Sequence, residues 1–197
     1  IRNGKWAESG DFSFWESPQT ELANKTMGLV GFGKIGQEVG KLANAFGMNV
    51  IATTGRRRPS MDYSPFDYVE LDELLTRSDV VSLHCPLTDS NQEMVNEDFL
   101  KRMKSSAYLI NTARGGLVSE KDLTTGLDLG WIAGAALDVV SQEPILDSNP
   151  LLKAKNCLLT PHMAWAALES RQRLMKSTAE NIAAFISGRP KNVVNNP

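Results

Sequence analysis

Val30-Gly31-Phe32-Gly33-Lys34-Ile35-Gly36 decides the fold. The stretch is GxGxxG, set between a short apolar run over 26 to 32 and a segment over 34 to 46. That segment places Ile35, Val39, Leu42, Ala43 and Phe46 at helical spacing and is stopped by Gly47. In a strand–loop–helix unit the first glycine permits the tight turn. The second lets backbone approach a pyrophosphate, and the third lets helix and strand pack closely. The helix N-terminus adds N–H donors and the positive end of its dipole. GxGxxG alone is weak evidence. In this context a dinucleotide site on Gly31, Gly33 and Gly36 outweighs a glycine-rich turn without a ligand.

Outward from this unit, strands and helices alternate. Strands are expected over 49 to 53, 80 to 85, 108 to 112, 134 to 140 and 157 to 160. Helices are expected over 71 to 77, over 97 to 104 with Asn96 as cap, and after Ser119, where Ser119-Glu120-Lys121-Asp122 fits a capping box. A long final helix over 168 to 186 carries an apolar stripe of Leu168, Met175, Ala179, Ile182 and Ile186. The alternation implies an α/β fold, a Rossmann-like doubly wound parallel sheet with helices on both faces. Such sheets bind ligands beyond the carboxyl ends of their strands. Residues 1 to 20 differ. Trp6, Phe12, Phe14 and Trp15 lie among Gly, Ser and Asp without a period. They read as an irregular arm, laid either on a surface outside this chain or back over its own core.

Composition bounds the function. The 197 residues are 42% apolar and 22% charged, as in ordinary soluble globular chains. A formal net charge of −2 gives no field that would select nucleic acid or a membrane surface. Cys85 and Cys157 cannot build a disulfide framework, and two histidines argue against a zinc site. No apolar run reaches the length of a membrane span, and no signal-peptide pattern is read, so a reduced cytoplasmic compartment is expected. The chain starts at Ile1, not at a methionine, and is read as processed, cleaved or cut from something larger, between which composition does not choose.

A dinucleotide fingerprint expects an acid about 20 residues after the glycines, on the ribose 2′-hydroxyl. Here the second strand runs into Thr53-Thr54-Gly55-Arg56-Arg57-Arg58, and the first acid is Asp62. Arginines would pair with a 2′-phosphate that a carboxylate would repel. NAD or NADP is therefore the expected cofactor, with NADP favoured and Thr54 and Arg56 as its contacts. The plainer alternative is a solvated basic turn on an NAD protein.

Three polar groups follow three strands on the glycine-loop side. They are Arg114 in Asn111-Thr112-Ala113-Arg114-Gly115-Gly116, Glu143 after Ala135 to Val140, and His162 in Thr160-Pro161-His162-Met163. Arg binds a carboxylate bidentately, and His exchanges protons near neutrality. A Glu on the second ring nitrogen would orient the His and favour its protonated form. Singly, each has a plainer reading as a surface ion-pair partner, a loop acid or a satisfied histidine. Together at one edge of a nucleotide-binding sheet they read as a site.

VGFGKIG, LHCPLT at 83 to 88, NTARGG at 111 to 116, ALDVV followed by EP, and TPHMAW at 160 to 165 resemble the D-isomer-specific 2-hydroxyacid dehydrogenases over nearly the whole chain. DFSFWESPQTELANKTMGLVGFGKIG and PHMAWAALESRQRL look most like the glycerate dehydrogenase (hydroxypyruvate reductase) branch. The resemblance implies that Arg114 binds the substrate carboxylate, that His162 is the general acid for reduction and that Glu143 pairs with it. It implies that Gly33, Lys34 and Ile35 line the pyrophosphate. Cys85, Pro86 and Thr112 would border the ribose and ring, and Asp138 would take the nicotinamide carboxamide. Most NAD-dependent members carry Asp where this chain has Thr54, a departure in the same direction as the charge argument.

Family members have two domains, and IRNGKW lies just after the crossing from the first. The expected division is an arm over 1–20 after a missing N-terminal substrate domain, a dinucleotide-binding domain over 21–165, and a helix and tail over 166–197 returning toward the substrate domain. The expected function is hydride transfer between a nicotinamide cofactor and a small D-2-hydroxy acid or 2-keto acid, hydroxypyruvate or glyoxylate favoured. A homodimer is expected, with no nucleic-acid, membrane or metal partner. Alternatives are an NAD(P)-sensing co-regulator of the same fold and a dehydrogenase for another carboxylate such as formate. Against the last, formate enzymes carry Gln where Glu143 stands.

Overall fold

A computed structural model of the chain describes residues 1–55 and 61–195. In chain order the elements are β1 (Thr26–Val30), α1 (Lys34–Ala45), β2 (Asn49–Thr53), β3 (Phe66–Tyr68), α2 (Leu71–Arg77) and β4 (Val80–Leu83). Then come α3 (Glu97–Arg102), β5 (Tyr108–Asn111), α4 (Glu120–Leu129), β6 (Gly134–Leu137), β7 (Cys157–Leu159) and α5 (Leu168–Ile186). The seven strands form one sheet in the order β3-β2-β1-β4-β5-β6-β7, parallel throughout. The chain runs outward from β1 to β3 and then crosses to β4, so the order reverses between β1 and β4. A crevice opens at the carboxyl ends of strands at such a point.

Alternate residues of each strand feed two cores. Val30, Ile51, Val81, Leu83, Leu109 and Leu137 pack against α2, α3 and α4. Leu29, Val50 and Ala52 pack against Ala43 of α1 and the Phe32, Phe66 and Tyr68 rings. Full burial of one such side chain is worth roughly 1.5–3 kcal/mol. Asn96 caps α3 by accepting from the Phe99 N–H at 3.2 Å.

Several expectations shift. β1 stops two residues short of its apolar run because Gly31 turns the chain at φ +93°, and β4 ends at Leu83, two residues short of the expected 80 to 85. The strand β3, only three residues beside β2, carried no periodic signal. Half of the capping box forms. Ser119 Oγ accepts from the Asp122 N–H at 3.4 Å, while the Asp122 carboxylate turns to the Glu97 N–H. The stripe on α5 does not face a core. Leu168, Met175, Ile182 and Ile186 are each more than half exposed, and Ala184 is the buried residue of the helix. The sheet face away from α2–α4 is also open along β5 and β7, where Tyr108 is 49% and Leu158 65% exposed. The arm is exposed as well, with Phe12 at 91%.

Candidate active site

The β1–α1 turn builds one wall of a cleft of about 520 Å³ at the switch point. The Gly31 N–H donates to the Thr53 carbonyl at 2.9 Å, and a Cβ at Gly31 would lie 2.6 Å from the Cys85 nitrogen. Gly36 sits under the turn, where a Cβ would lie 2.5 Å from the Gly31 oxygen. Gly33 differs from both, because a Cβ there would meet nothing within 4 Å. It looks into the cleft, and the space a side chain would take is left for a ligand. The first turn of α1 has no acidic residue, and Gly33 caps it without a side chain, so its N–H groups face the cleft uncovered by carboxylate. These features fit a pyrophosphate.

Thr54 and Gly55 line the same cleft at the end of β2, and Cys85 and Pro86 line it at the end of β4. Lys34 and Ile35 are exposed on the first turn of α1, and Thr112 is exposed after β5. Arg56 lies outside the described residues. Burial pushes the half-buried Cys85 thiol up. His84 is a lining residue that sequence reading passed over. Its Nε2 lies 2.9 Å from Ser82 Oγ, and burial lowers its pKa, so the ring is neutral at pH 7. Its signal in the sequence is its place immediately after the apolar run Val80–Leu83.

A second pocket, of about 200 Å³, brings Arg114, Glu143 and His162 together with Leu87, Gly116 and Val140. Asn111, buried at the end of β5, shapes the Arg114 turn. Its Oδ1 accepts from the Ala113 N–H at 3.0 Å, and its Nδ2 donates to the Arg114 carbonyl at 2.9 Å. Gly115 is packed so closely on Val140 that a Cβ there would overlap the Val140 carbonyl. The Arg114 turn and the Glu143 loop therefore touch. Glu143 Oε1 accepts from the Val140 N–H at 3.3 Å, and its Oε2 lies 2.7 Å from His162 Nδ1. That bond is the main reason the Glu143 carboxyl is held below its ordinary range. With Glu143 ionised, Nδ1 is the donor, and Nε2 is the nitrogen left for proton exchange.

Asp138, at the end of β6, is 5% exposed. Its carboxylate accepts from Thr160 Oγ1 at 2.5 Å and from the Met163 and Ala164 N–H groups at 2.9 and 2.8 Å. All three donors come from the loop that carries His162. Residues 85 to 87 join the two pockets, since Cys85 and Pro86 line the first and Leu87 lines the second. Among the described residues no group of three or more His, Cys, Asp or Glu side chains could hold a metal ion. Nor is any helix there long and apolar enough to cross a membrane.

Known proteins resemble the chain closely. The family description "D-isomer specific 2-hydroxyacid dehydrogenase, NAD binding domain" matches residues 1–164. A hydroxypyruvate reductase of Blautia hydrogenotrophica is 47% identical over 195 residues, covering 99% of this chain and 61% of that protein. The chain thus spans about three-fifths of the length of that curated relative. A D-isomer specific 2-hydroxyacid dehydrogenase of Lactobacillus delbrueckii ssp. bulgaricus, solved in its NAD complexed form, superposes with TM-score 0.82 at 35% identity, over 98% of this chain and 63% of that one. An acyclic imino acid reductase solved with NADPH and D-Arg superposes with TM-score 0.80 at 34% identity, over 98% and 61%. The chain belongs to the D-isomer-specific 2-hydroxyacid dehydrogenase family and carries its NAD-binding domain.

Proposed function

We propose that the enzyme carrying this chain reduces a small 2-keto acid, hydroxypyruvate or glyoxylate, to the D-2-hydroxy acid. The observation that carries this reading is the Glu143–His162 pair, 2.7 Å apart, in one pocket with Arg114. Arg114 binds the substrate carboxylate and helps polarise the keto oxygen. His162, held through Nδ1 by Glu143, delivers a proton from Nε2 to that oxygen as it gains charge. Bound nicotinamide supplies the hydride to the carbonyl carbon. In the oxidative direction His162 takes the hydroxyl proton back. Glu143 keeps the ring in the donating orientation throughout.

Gly31, Gly33 and Gly36, with Lys34 and Ile35 on the first turn of α1, receive the pyrophosphate. Thr54 and Arg56 receive the adenosine ribose, and Cys85, Pro86 and Thr112 border the nicotinamide half. NADP is favoured over NAD because no carboxylate stands at Thr54. The NADPH held by the imino acid reductase is consistent with that choice on this fold. Residues 1–20 act as an arm, 21–165 as the dinucleotide domain, and 166–197 as a return toward a substrate domain that supplies the other wall of the pocket. The exposed aromatics of the arm and the open face at Tyr108 and Leu158 support a homodimer. The compartment is the cytoplasm, where the two free thiols stay reduced.

The test is His162→Ala in the full-length enzyme. Hydroxypyruvate reduction should fall by about 10²–10⁴-fold, the range for a lost general acid, with dinucleotide affinity retained. Turnover at the wild-type rate would reject the assignment. The isolated chain should bind dinucleotide and turn over poorly.

A further inference from the structure

We propose that Asn91 is the positioning residue of the loop over 85 to 88, and that through this loop it sets the nicotinamide half of the dinucleotide against the substrate held at Arg114. The proposal rests on the hydride-transfer reading given above. The loop leaves the end of β4, carrying Cys85 and Pro86 into the dinucleotide cleft and Leu87 into the Arg114 pocket. One side chain spans it. Asn91 Oδ1 accepts from the Thr88 N–H at 2.7 Å, and Asn91 Nδ2 donates to the Pro86 carbonyl at 2.8 Å. The same nitrogen lies 4.0 Å from Cys85 Sγ. Leu87 is thus held from both sides, and the half-buried Asn91 itself lines the cleft.

A primary amide carries its acceptor and its donor on separate atoms, which is what an N–H and a carbonyl two residues apart require. The main chain closes the turn, since the Asn91 N–H donates to the Thr88 carbonyl at 3.2 Å. Beyond Asn91 the segment is tied to the Arg114 turn. The Glu93 N–H donates to the Gly116 carbonyl at 2.8 Å, and the Val95 N–H to the Leu117 carbonyl at 3.0 Å. Leu87 rests on that turn as well, because a Cβ at Gly116 would lie 2.8 Å from Leu87 Cδ2. The segment is therefore braced at β4 and at the Arg114 turn, and Asn91 fixes the stretch between. Hydride transfer needs the reacting carbons held about 3–3.5 Å apart. A loop that borders both ligands sets that distance.

The experiment compares Asn91→Ala, Asn91→Asp and His162→Ala in the full-length enzyme. It reads kcat and KM for hydroxypyruvate, and the primary isotope effect on kcat with reduced dinucleotide deuterated at the transferred C4 position. It also reads the melting temperature and the Kd of dinucleotide and of ADP, which lacks the nicotinamide and its ribose. Asp keeps the acceptor for Thr88 but sets a carboxylate against the Pro86 carbonyl. A misplacement of about 1 Å at a reacting group costs roughly 100-fold, so both Asn91 variants should lose about 10–100-fold in kcat. The isotope effect should rise in both as hydride transfer becomes limiting. Dinucleotide should bind about 3–10-fold more weakly, the size of one net hydrogen bond. The Kd of ADP should stay within about twofold, because its contacts are separate. Wild-type kcat and isotope effect in a folded Asn91→Ala enzyme would overturn the proposal. So would a lower melting temperature with kcat unchanged, since the two bonds would then serve stability alone. Equal weakening of ADP and dinucleotide would overturn it by moving the effect to the adenosine half. If Asn91→Ala does not fold, Asn91→Asp decides by the same readings. His162→Ala should lose turnover with the ratio of the two Kd values unchanged. Retained turnover there rejects the acid–base reading, while the isotope effect and the Kd ratio still judge Asn91.

Discussion

Gly115→Ala should disable the enzyme without unfolding it. Gly115 is buried beside Arg114, and a Cβ there would overlap the Val140 carbonyl and lie 2.5 Å from the Ser141 nitrogen. Carbon atoms in contact sit about 3.5 Å apart, so the two loops must part by at least about 1 Å. The displaced loop is the one that orients Glu143 through the Val140 N–H, and Glu143 holds His162. Overpacking of this kind costs about 1–3 kcal/mol, less than a domain's usual margin of about 5–15 kcal/mol. A displacement of about 1 Å at the reacting groups costs roughly 100-fold in rate, or about 2.7 kcal/mol of transition-state stabilisation. Expected for the full-length enzyme is a fall of about 100-fold in kcat/KM for hydroxypyruvate, with dinucleotide Kd nearly unchanged. The melting temperature should drop by roughly 2–12 °C. Gly33→Ala is the contrast, since its Cβ meets nothing and its φ is −76°. It should leave the melting temperature alone and weaken dinucleotide binding. Wild-type kcat/KM in Gly115→Ala would refute the argument. So would a loss of dinucleotide affinity as large as the loss of turnover.

Two further outcomes follow from the same geometry. NADP should bind more tightly than NAD, and Thr54→Asp should reverse the order by at least about tenfold, since a carboxylate repels the 2′-phosphate; tighter NAD binding by the wild type would reject this. Burial alone would push the Asp79 carboxyl up, but the Thr26 N–H at 2.8 Å and Lys104 at 3.0 Å hold it below its ordinary value. With the folded pKa depressed, its stabilisation is present above the unfolded value of about 3.9 and is lost as pH falls through the folded pKa. Asp79→Asn should thus cost about 1.5–3 kcal/mol at pH 7 in chemical denaturation, with the gap closing in acid. A gap of constant size from neutral pH to pH 2 would contradict the linkage.

The sheet and the candidate site were legible to different depths. β1, α1 and β2 announce themselves because glycines and apolar spacing are local properties, and the limits of α2 and α5 agree with the expected 71–77 and 168–186. Arg114, Glu143 and His162 could be picked out because each follows a strand end, and parallel strands deliver their ends to one edge. What holds them there was illegible. The grip of Asp138 on Thr160, Met163 and Ala164 spans 22 to 26 residues of sequence and has no local pattern. The Gly115–Val140 approach is likewise a matter of two loops meeting. The stripe on α5 was legible, yet periodicity reports only that a helix has an apolar side, not what meets it.

The division of labour along the sheet edge bears on how such an enzyme can change over generations. Thr54 and Gly55 stand at the β2 end of the dinucleotide cleft, and among the described residues none that lines this cleft also lines the Arg114 pocket. A lineage can therefore exchange one nicotinamide coenzyme for the other by drift at a single strand end while the proton-transfer machinery stays under its own selection. Residues 85 to 87 run directly from one pocket to the other, Cys85 and Pro86 lining the first and Leu87 the second. That short bridge is where trade-offs between coenzyme and substrate preference should concentrate.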